Sequence, residues 1–259
     1  MDSIPIVISG SGNMGRQVAL AAAADPATEP LAFIDALGEG DSCEGLPLYG
    51  DAAPALDAHS PEVVVDFSNA AWTPVLARAA LERGVRLVIG TTGLPAAFLD
   101  ELREEAAARK VGVVVAPNFA IGAVLLMYFS RQAARFFDHA EIIELHHAGK
   151  VDAPSGTAKA TAEQMVEARG EPFERVEAEV QTVPDTRGGQ VGGVTLHSVR
   201  LPGLVAHQEV LLGGLGQTLS LRHDSTGRDS FMPGVLAAVK AVRETEGLVV
   251  GLDALFGLD

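Results

Sequence analysis

The sequence predicts an α/β fold with a doubly wound parallel sheet, together with a second α+β domain whose sheet is mostly antiparallel. Three observations lead to this prediction. Apolar strand-like runs alternate with helix-like runs through the first half, the pattern becomes strand-rich after about residue 140, and α/β character returns from residue 231. Parallel strands need crossover connections, which are usually helices, so the first pattern favours a parallel sheet.

Five strand-like segments form the first half of the chain. The first is Ile4–Ile8, which precedes a helix ending near Asp25 and Pro26. The others are 63–67 and 85–89, followed by helices at about 71–83 and 95–110, together with strands 31–34 and 111–116. Strands and crossover helices in this order predict a doubly wound sheet, whose ligands bind outside the carboxyl ends of the strands.

The second half predicts a different sheet. A hydrophobic helix at 120–137 connects to strands at 140–145, 176–183, 193–200, 204–212 and 218–222, with one helix ending at Arg169 and a glycine-rich mobile loop at 186–193. The last segments, helix 231–244 and strand 248–250, are expected to rejoin the first domain. The predicted domains are therefore 1–117 with 226–259, and 118–225.

The turn after the first strand carries the pattern Gly-x-Gly-x-x-Gly, formed by Gly10, Gly12 and Gly15. The three glycines would allow a tight turn, close approach of backbone to a pyrophosphate, and packing of helix on strand. The second strand ends at Asp35, where an acidic residue can bind ribose hydroxyls. A solvated strand end is the alternative for Asp35, but the context favours a Rossmann-like dinucleotide-binding domain.

Composition limits the classes of function. The net charge of −15 argues against binding nucleic acid or an anionic membrane. The single cysteine, Cys43, suits a reducing compartment, and no segment has the length of an apolar membrane span. We therefore expect a cytoplasmic protein that acts on a small molecule.

The most informative segment is Glu144–Ala158, which contains His146, His147 and Lys150 at the end of a predicted strand. Pro154, Ser155, Gly156 and Thr157 then open a helix, whose first N–H groups have no internal partner and can bind a carboxylate beside Lys150. A single histidine or a single cap is usually structural, but their conjunction favours chemistry. Metal binding is disfavoured, because adjacent histidines on a strand face opposite ways and no second ligand cluster follows.

These segments resemble the dihydrodipicolinate reductase family over essentially the whole chain. The resemblance rests on Gly-Asn-Met-Gly-Arg at 12–16, Gly-Thr-Thr-Gly at 90–93, Pro-Asn-Phe at 117–119, the motif at 144–158, and His223 with Arg-Asp-Ser-Phe at 228–231. It implies a Rossmann domain completed by the C-terminus, a substrate and oligomerisation domain, and a homotetramer. It also implies hydride transfer from NADH or NADPH to a cyclic imine dicarboxylate in the biosynthesis of lysine and diaminopimelate, with 4-hydroxy-tetrahydrodipicolinate reduced by way of dihydrodipicolinate.

The resemblance also implies site residues. His146 and Lys150 would be catalytic, and substrate would contact His147, Ser155, Gly156 and Thr157. The cofactor contacts implied are Ser9, Gly10, Ser11, Gly12, Asn13, Met14, Asp35, Gly90, Thr91, Thr92, Ala116, Pro117, Asn118 and Phe119.

Three positions depart from the family pattern. Ser9 stands where members often have glycine, Asn13 where many have a basic residue, and Ala36 follows Asp35 in place of arginine. The last departure predicts a preference for NADH over NADPH. Two other classes of protein fit the sequence less well. Another two-domain NAD(P)-dependent dehydrogenase does not account for the 144–158 motif, and a non-catalytic dinucleotide sensor would not need His146 and Lys150.

Overall fold

The computed structural model describes residues 3–258. The described chain divides into two compact units. The first covers the residues up to Ile121 and those from Arg228 onward, and the second covers Gly122–Gly227. Within the described residues, no helix combines the length and apolar character needed to cross a membrane.

Strands and helices alternate from the N-terminus. In chain order they are β1 (Ile4–Ser9), α1 (Asn13–Ala24), β2 (Thr28–Ile34), β3 (Ser42–Cys43), β4 (Leu46–Tyr49), α2 (Ala52–His59), β5 (Val63–Asp66), α3 (Thr73–Glu82), β6 (Arg86–Ile89), α4 (Ala96–Arg109) and β7 (Gly112–Val115).

The next segment is rich in strands, and the chain then ends with an α/β segment. These elements are α5 (Ile121–Ala133), β8 (His139–His146), α6 (Gly156–Arg169), β9 (Gly189–Val191), β10 (Val194–Arg200), β11 (Ala206–Gly214), β12 (Gln217–Ser225), α7 (Met232–Ala241), β13 (Gly247–Val250) and α8 (Leu252–Leu255). Short 3-10 turns cover Ala134–Phe136, Arg228–Phe231 and Val242–Glu244.

The first unit contains an eight-stranded sheet in the order β13-β7-β6-β5-β1-β2-β4-β3. All of its strand pairs are parallel except that of β3 with β4. The central strands are apolar and fully buried, as Val64 and Leu87 illustrate, because helices such as α3 and α4 pack on the sheet through Leu76 and Leu102. The carboxyl ends of β1, β2, β5, β6 and β7 consequently lie along one edge.

The second unit contains a five-stranded sheet in the order β12-β11-β8-β10-β9. The β8–β10 pair is parallel and the other pairs are antiparallel. Helix α6 covers one face, where Ala162 and Met165 are buried against Ile142 and Val210. Because side chains alternate along a strand, Glu144 and His146 point to the same face as Ile142. The predicted fold class is confirmed.

One predicted strand is wrong. Residues 176–183 form no strand in the described chain, and the side chains of Val176 and Val180 are 60% and 75% exposed. The segment combines valines with charged residues, which resembles strand patterning, but no neighbouring strand supplies hydrogen bonds.

The predicted mobile loop at 186–193 contains β9. Gly192 and Gly193, with φ of +54° and +84°, connect β9 to its antiparallel partner β10. Two residues with positive φ are what a tight type I′ hairpin turn requires, so the Gly-Gly pair is a hairpin signal rather than a sign of disorder. The sequence reading also missed β3, β4 and α2, which are short.

Candidate active site

The turn between β1 and α1 brings backbone segments unusually close together. Gly10 has φ of +96°, and a Cβ at this position would overlap the carbonyl oxygen of Phe67. A Cβ on Gly15 would overlap the carbonyl oxygen of Gly10, so α1 packs directly on the turn. Gly12, the N-cap of α1, has open space where a Cβ would lie. The turn therefore fits a pyrophosphate at the start of the helix.

Asp35 follows β2 and is held against this turn. Its Oδ2 accepts hydrogen bonds from the backbone nitrogen and the hydroxyl of Ser11, at 2.8 and 2.6 Å, and its Oδ1 accepts one from the nitrogen of Leu37 at 3.0 Å. Burial raises the pKa of Asp35, but these hydrogen bonds lower it overall. A negative charge therefore lies beside the glycine-rich turn.

Asp66, at the end of β5, organises two neighbouring loops and was not predicted as a site residue. This buried carboxylate accepts hydrogen bonds from the hydroxyls of Ser68 at 2.6 Å, Thr73 at 2.6 Å and Thr91 at 2.9 Å. Thr91 belongs to the predicted Gly-Thr-Thr-Gly loop after β6, so Asp66 fixes that loop. Gly90 is required there, because a Cβ would overlap the ring of Phe67.

The loop after β7 is fixed in a similar way. Asn118 accepts a hydrogen bond from the backbone nitrogen of Ala120 at 2.9 Å, and the buried Phe119 ring packs 5.6 Å from the Phe67 ring. The predicted cofactor residues thus lie in four loop regions at the carboxyl ends of parallel strands of one sheet. These regions are 9–14, which includes the last residue of β1 and the first two of α1, then Asp35 after β2, 90–92 after β6 and 116–119 after β7.

In the second unit, the predicted catalytic histidine ends β8. The Nδ1 of His146 lies 2.5 Å from Oε2 of Glu144, and the His146 side chain is 15% exposed. Glu144 is fully buried and also forms a two-pronged ion pair with Arg200, with distances of 2.9 Å from Nη1 to Oε2 and 2.8 Å from Nη2 to Oε1.

Lys150 lies in the loop that follows His146 and His147. Its Nζ is 2.7 Å from the carboxylate of Asp152, and its side chain is 22% exposed. The hydrogen bond from Lys150 lowers the pKa of Asp152. The Arg200 guanidinium also donates to the carbonyl of Asp152 at 2.6 Å, which connects the loop to β10.

Helix α6 begins as the sequence predicts, with Ser155 as its N-cap. The Ser155 hydroxyl accepts a hydrogen bond from the nitrogen of Ala158 at 3.1 Å, and its own nitrogen donates to Oε1 of Glu144 at 3.2 Å. A Cβ on Gly156 would meet nothing within 4 Å. The first helical N–H groups, near Gly156 and Thr157, therefore border open space and can donate hydrogen bonds to an anion.

Comparison with known proteins agrees with this geometry. Residues 4–119 match the family model described as dihydrodipicolinate reductase, N-terminus, and residues 122–256 match the model described as its C-terminus. The chain belongs to the dihydrodipicolinate reductase family. The 4-hydroxy-tetrahydrodipicolinate reductases of Moorella thermoacetica and Shouchella clausii are 46% and 44% identical to it, over 98% and 96% of this chain and 98% of each relative.

Solved structures agree with the family assignment. Dipicolinate-bound dihydrodipicolinate reductase from Paenisporosarcina sp. TG-14 superposes with a TM-score of 0.90 at 38% identity, over 98% of this chain and 99% of that one. GenD2 from gentamicin A biosynthesis, solved with NAD, has a TM-score of 0.65 at 14% identity and shares the fold alone, over 100% of this chain and 91% of that one. Membership of the dihydrodipicolinate reductase family makes the chain an oxidoreductase with a dinucleotide-binding fold.

The electrostatic surroundings of His146 favour its neutral form. Burial lowers the pKa of His146, Glu144 raises it, and the positive charges of Lys150 and Arg200 lower it. The net result is a pKa below the ordinary value for histidine. In this member of the dihydrodipicolinate reductase family, an imidazole that gives up its proton readily therefore lies at the strand end that carries the family motif.

Glu144 and Arg200 complete this site, and neither was predicted as a site residue. Glu144 lies two positions before His146, so the two-residue period of a strand puts both on one face, which is a signal that could have been read. Arg200 is distant in sequence and faces His146 only because β10 pairs with β8. Within the described residues, no group of three or more His, Cys, Asp or Glu side chains could hold a metal ion.

Proposed function

We propose that this protein catalyses the NAD(P)H-dependent reduction of 4-hydroxy-tetrahydrodipicolinate, by way of dihydrodipicolinate, to tetrahydrodipicolinate in the biosynthesis of lysine and diaminopimelate. One observation carries the proposal. Glu144 joins His146 to the start of α6, which has room for a carboxylate, and Lys150 lies in the loop between them, in a chain that matches the dihydrodipicolinate reductase family over residues 4–119 and 122–256.

The substrate class follows from the charges around α6. A carboxylate at the start of this helix would accept hydrogen bonds from the N–H groups of Gly156 and Thr157 and would be stabilised by the helix dipole. Lys150 adds a positive charge, while His147 and the capping residue Ser155 complete the proposed substrate-binding set. A planar ring with two carboxylates suits such a site, and a related enzyme was solved with dipicolinate bound.

His146 and Lys150 are proposed to deliver the proton. Addition of hydride to a conjugated imine leaves electron density that a proton must neutralise, and a positioned acid does this well when its pKa lies near ambient pH. His146 places an imidazole at the strand end, and burial, Lys150 and Arg200 hold its pKa below the ordinary histidine value, so that its imidazolium gives up a proton readily. Lys150 supplies positive charge beside it, and its ion pair with Asp152 holds the ammonium in place.

The cofactor is proposed to bind the first unit through the four loops described above. When bound, NADH or NADPH supplies the hydride. The backbone of the glycine-rich turn would hold the pyrophosphate, and Asp35 would hold ribose hydroxyls. A 2′-phosphate would instead meet the negative charge of Asp35, so NADH is the proposed preferred cofactor.

The domain roles follow from this division. The dinucleotide-binding domain is proposed to comprise residues 1–117 and 226–259, and the substrate-binding and oligomerisation domain residues 118–225. In the second unit, the sheet face opposite α6 presents Ile143, Leu145, Val199 and Leu211 half-buried, which supports the proposed homotetramer. A cytoplasmic location, without nucleic-acid or membrane partners, accords with the net charge of −15.

A coupled assay tests the proposal directly. Dihydrodipicolinate synthase, pyruvate and aspartate semialdehyde would generate the substrate, and absorbance of the reduced nicotinamide would then be followed after this protein is added. We expect the absorbance to fall with NADH and, more slowly, with NADPH. No loss with either cofactor would show that the proposed reaction is wrong.

A further inference from the structure

Glu144 is a buried carboxylate in the second unit, and it forms hydrogen bonds with three other residues of the candidate site. Its side chain is 0% exposed, yet its two carboxylate oxygens accept from the Nδ1 of His146, from both terminal nitrogens of Arg200 and from the backbone nitrogen of Ser155. These partners come from β8, from β10 and from the start of α6.

A buried carboxylate is costly unless it is paired, so this arrangement needs a reason. Packing alone does not supply one, because the same face of β8 carries the apolar Ala140 and Ile142. The partners of Glu144 are instead the proposed proton donor and the proposed carboxylate-binding helix start. One carboxylate therefore connects the two parts of the site.

We propose that Glu144 is a positioning residue: its Oε2 holds His146 with Nδ1 protonated, so that Nε2 exchanges the proton with substrate, and its Oε1 holds the start of α6. This inference rests on the proposed function, because it assigns a role within that same site. Arg200 acts with Glu144, since it balances the buried charge and also binds the carbonyl of Asp152 in the loop that carries Lys150.

The tautomer follows from the charge state of Glu144. Burial raises the pKa of Glu144, but the hydrogen bonds from Arg200 and His146 lower it overall, so the carboxylate is ionised at neutral pH. An ionised carboxylate can only accept hydrogen bonds. The Nδ1 of His146 therefore carries the hydrogen of their 2.5 Å contact, and Nε2 is the nitrogen that gains or loses a proton.

The charged groups around His146 predict the effect of removing this carboxylate. Glu144 raises the pKa of His146, whereas Lys150 from the following loop and Arg200 from β10 lower it. A Glu144→Gln substitution keeps the shape of the side chain but removes the only one of these three charges that favours the imidazolium. Titration of His146 should then move to lower pH.

The chain offers a matched control on the same strand. Glu141 also binds one arginine and one histidine, with Arg187 at 2.6 Å and His197 at 2.7 Å, but it points to the opposite face of β8. A Glu141→Gln substitution removes the same kind of interaction without touching His146. The pair of variants thus separates positioning of His146 from a general effect on the sheet.

The experiment combines kinetics with imidazole NMR on the whole protein. Histidine labelled with ¹⁵N would be used, and the His146 signals assigned by comparison with a His146→Gln variant. Because a general acid that has lost its orientation loses much of its contribution, we expect Glu144→Gln to lower kcat about 10²-fold while KM for the cofactor is retained. The His146 titration should move to lower pH in Glu144→Gln and stay in place in Glu141→Gln.

The wild-type tautomer gives a test that does not depend on any variant folding or on turnover. Nitrogen–proton correlations of neutral His146 should show hydrogen on Nδ1, and hydrogen on Nε2 would overturn the inference. An unmoved His146 titration in folded Glu144→Gln would overturn it as well. These failures differ from that of the proposed function, which would appear as a wild-type protein without reductase activity.

Discussion

His146 and Arg200 are direct partners in the parallel pairing of β8 with β10, and both bind the carboxylate of Glu144. The pairing matters because it brings the guanidinium next to the imidazole, where its positive charge disfavours the imidazolium and lowers the pKa of His146. With the carboxylate between them, the arginine charge is balanced and the imidazole is oriented.

Removal of His146 or Lys150 should affect turnover far more than cofactor binding. We expect His146→Ala and Lys150→Ala to lower kcat about 10²–10⁴-fold, which is the usual contribution of a positioned general acid. Cofactor affinity, measured by fluorescence titration, should stay near the wild-type value. His139→Ala and Lys159→Ala are matched controls, since His139 begins the same strand and Lys159 is 60% exposed on α6. Near-normal turnover of both active-site variants would show that His146 and Lys150 do not deliver the proton.

Pyridine-2,6-dicarboxylate should inhibit competitively against substrate, because its carboxylates can bind the N–H groups at the start of α6. A Gly156→Leu substitution should abolish this inhibition. The variant should fold, since a Cβ at Gly156 meets nothing within 4 Å. Glu167→Leu, at an exposed position further along the same helix, is the control and should keep the wild-type inhibition constant. Unchanged inhibition of Gly156→Leu would show that the carboxylates do not bind at the start of α6.

Loss of the Lys150 charge should raise the pKa of His146. Lys150 lowers that pKa because a nearby positive charge disfavours the imidazolium, so Lys150→Met should shift the His146 titration to higher pH. Histidine NMR from about pH 4 to about pH 9, a range that covers the ordinary titration of imidazole, would measure the shift. Lys159→Met, which removes a lysine paired with Glu163, should leave the titration in place. A downward shift in Lys150→Met would contradict the prediction.

The protein should prefer NADH to NADPH, and a single substitution after Asp35 should weaken that preference. Asp35 is negatively charged, and the cation on α1, Arg16, already pairs with Glu44 at 3.1 Å. An Ala36→Arg substitution should shift the ratio of kcat/KM for NADH over NADPH toward NADPH, because arginine can bind the 2′-phosphate. Ala108→Arg, at an exposed position near the end of α4, makes the same substitution elsewhere and should not change the ratio. A wild-type ratio below one would contradict the prediction.

Two glycines of the turn after β1 should respond differently to alanine. Gly15→Ala should lower the free energy of unfolding by about 1–3 kcal/mol, since its Cβ would overlap the carbonyl oxygen of Gly10 and the backbone must move. Gly12→Ala has open space and should unfold near the wild-type temperature. In a thermal shift series with NADH, however, Gly12→Ala should show the smaller stabilisation, because its methyl group occupies room that the pyrophosphate needs. Equal melting temperatures of the two variants would contradict the packing argument.

Local signals in the sequence predicted much of the fold. The glycine-rich turn needs positive φ at Gly10, and Ser155 caps α6 while Gly170 ends it with φ of +83°. Each of these features depends on the conformational preferences of a few neighbouring residues, so a short segment of sequence contains the information.

Features that depend on distant partners were harder to predict. The segment 176–183 has strand-like composition but lacks a neighbouring strand, whereas β4 has only four residues and forms because it adds to β2. Arg200 is the clearest case in the site. Nothing near Arg200 in sequence indicates its role, which appears only when the pairing of β8 and β10 is known.

The pairing of β13 with β7 has a consequence for incomplete chains. The second unit is continuous in sequence, from Gly122 to Gly227, and all of its strands precede β13. A chain that ends before β13 therefore contains the whole inserted unit but leaves β7 with an unpaired edge. Exposed strand edges invite pairing with other chains, so chains truncated between residues 230 and 246 should aggregate more readily than the full-length chain.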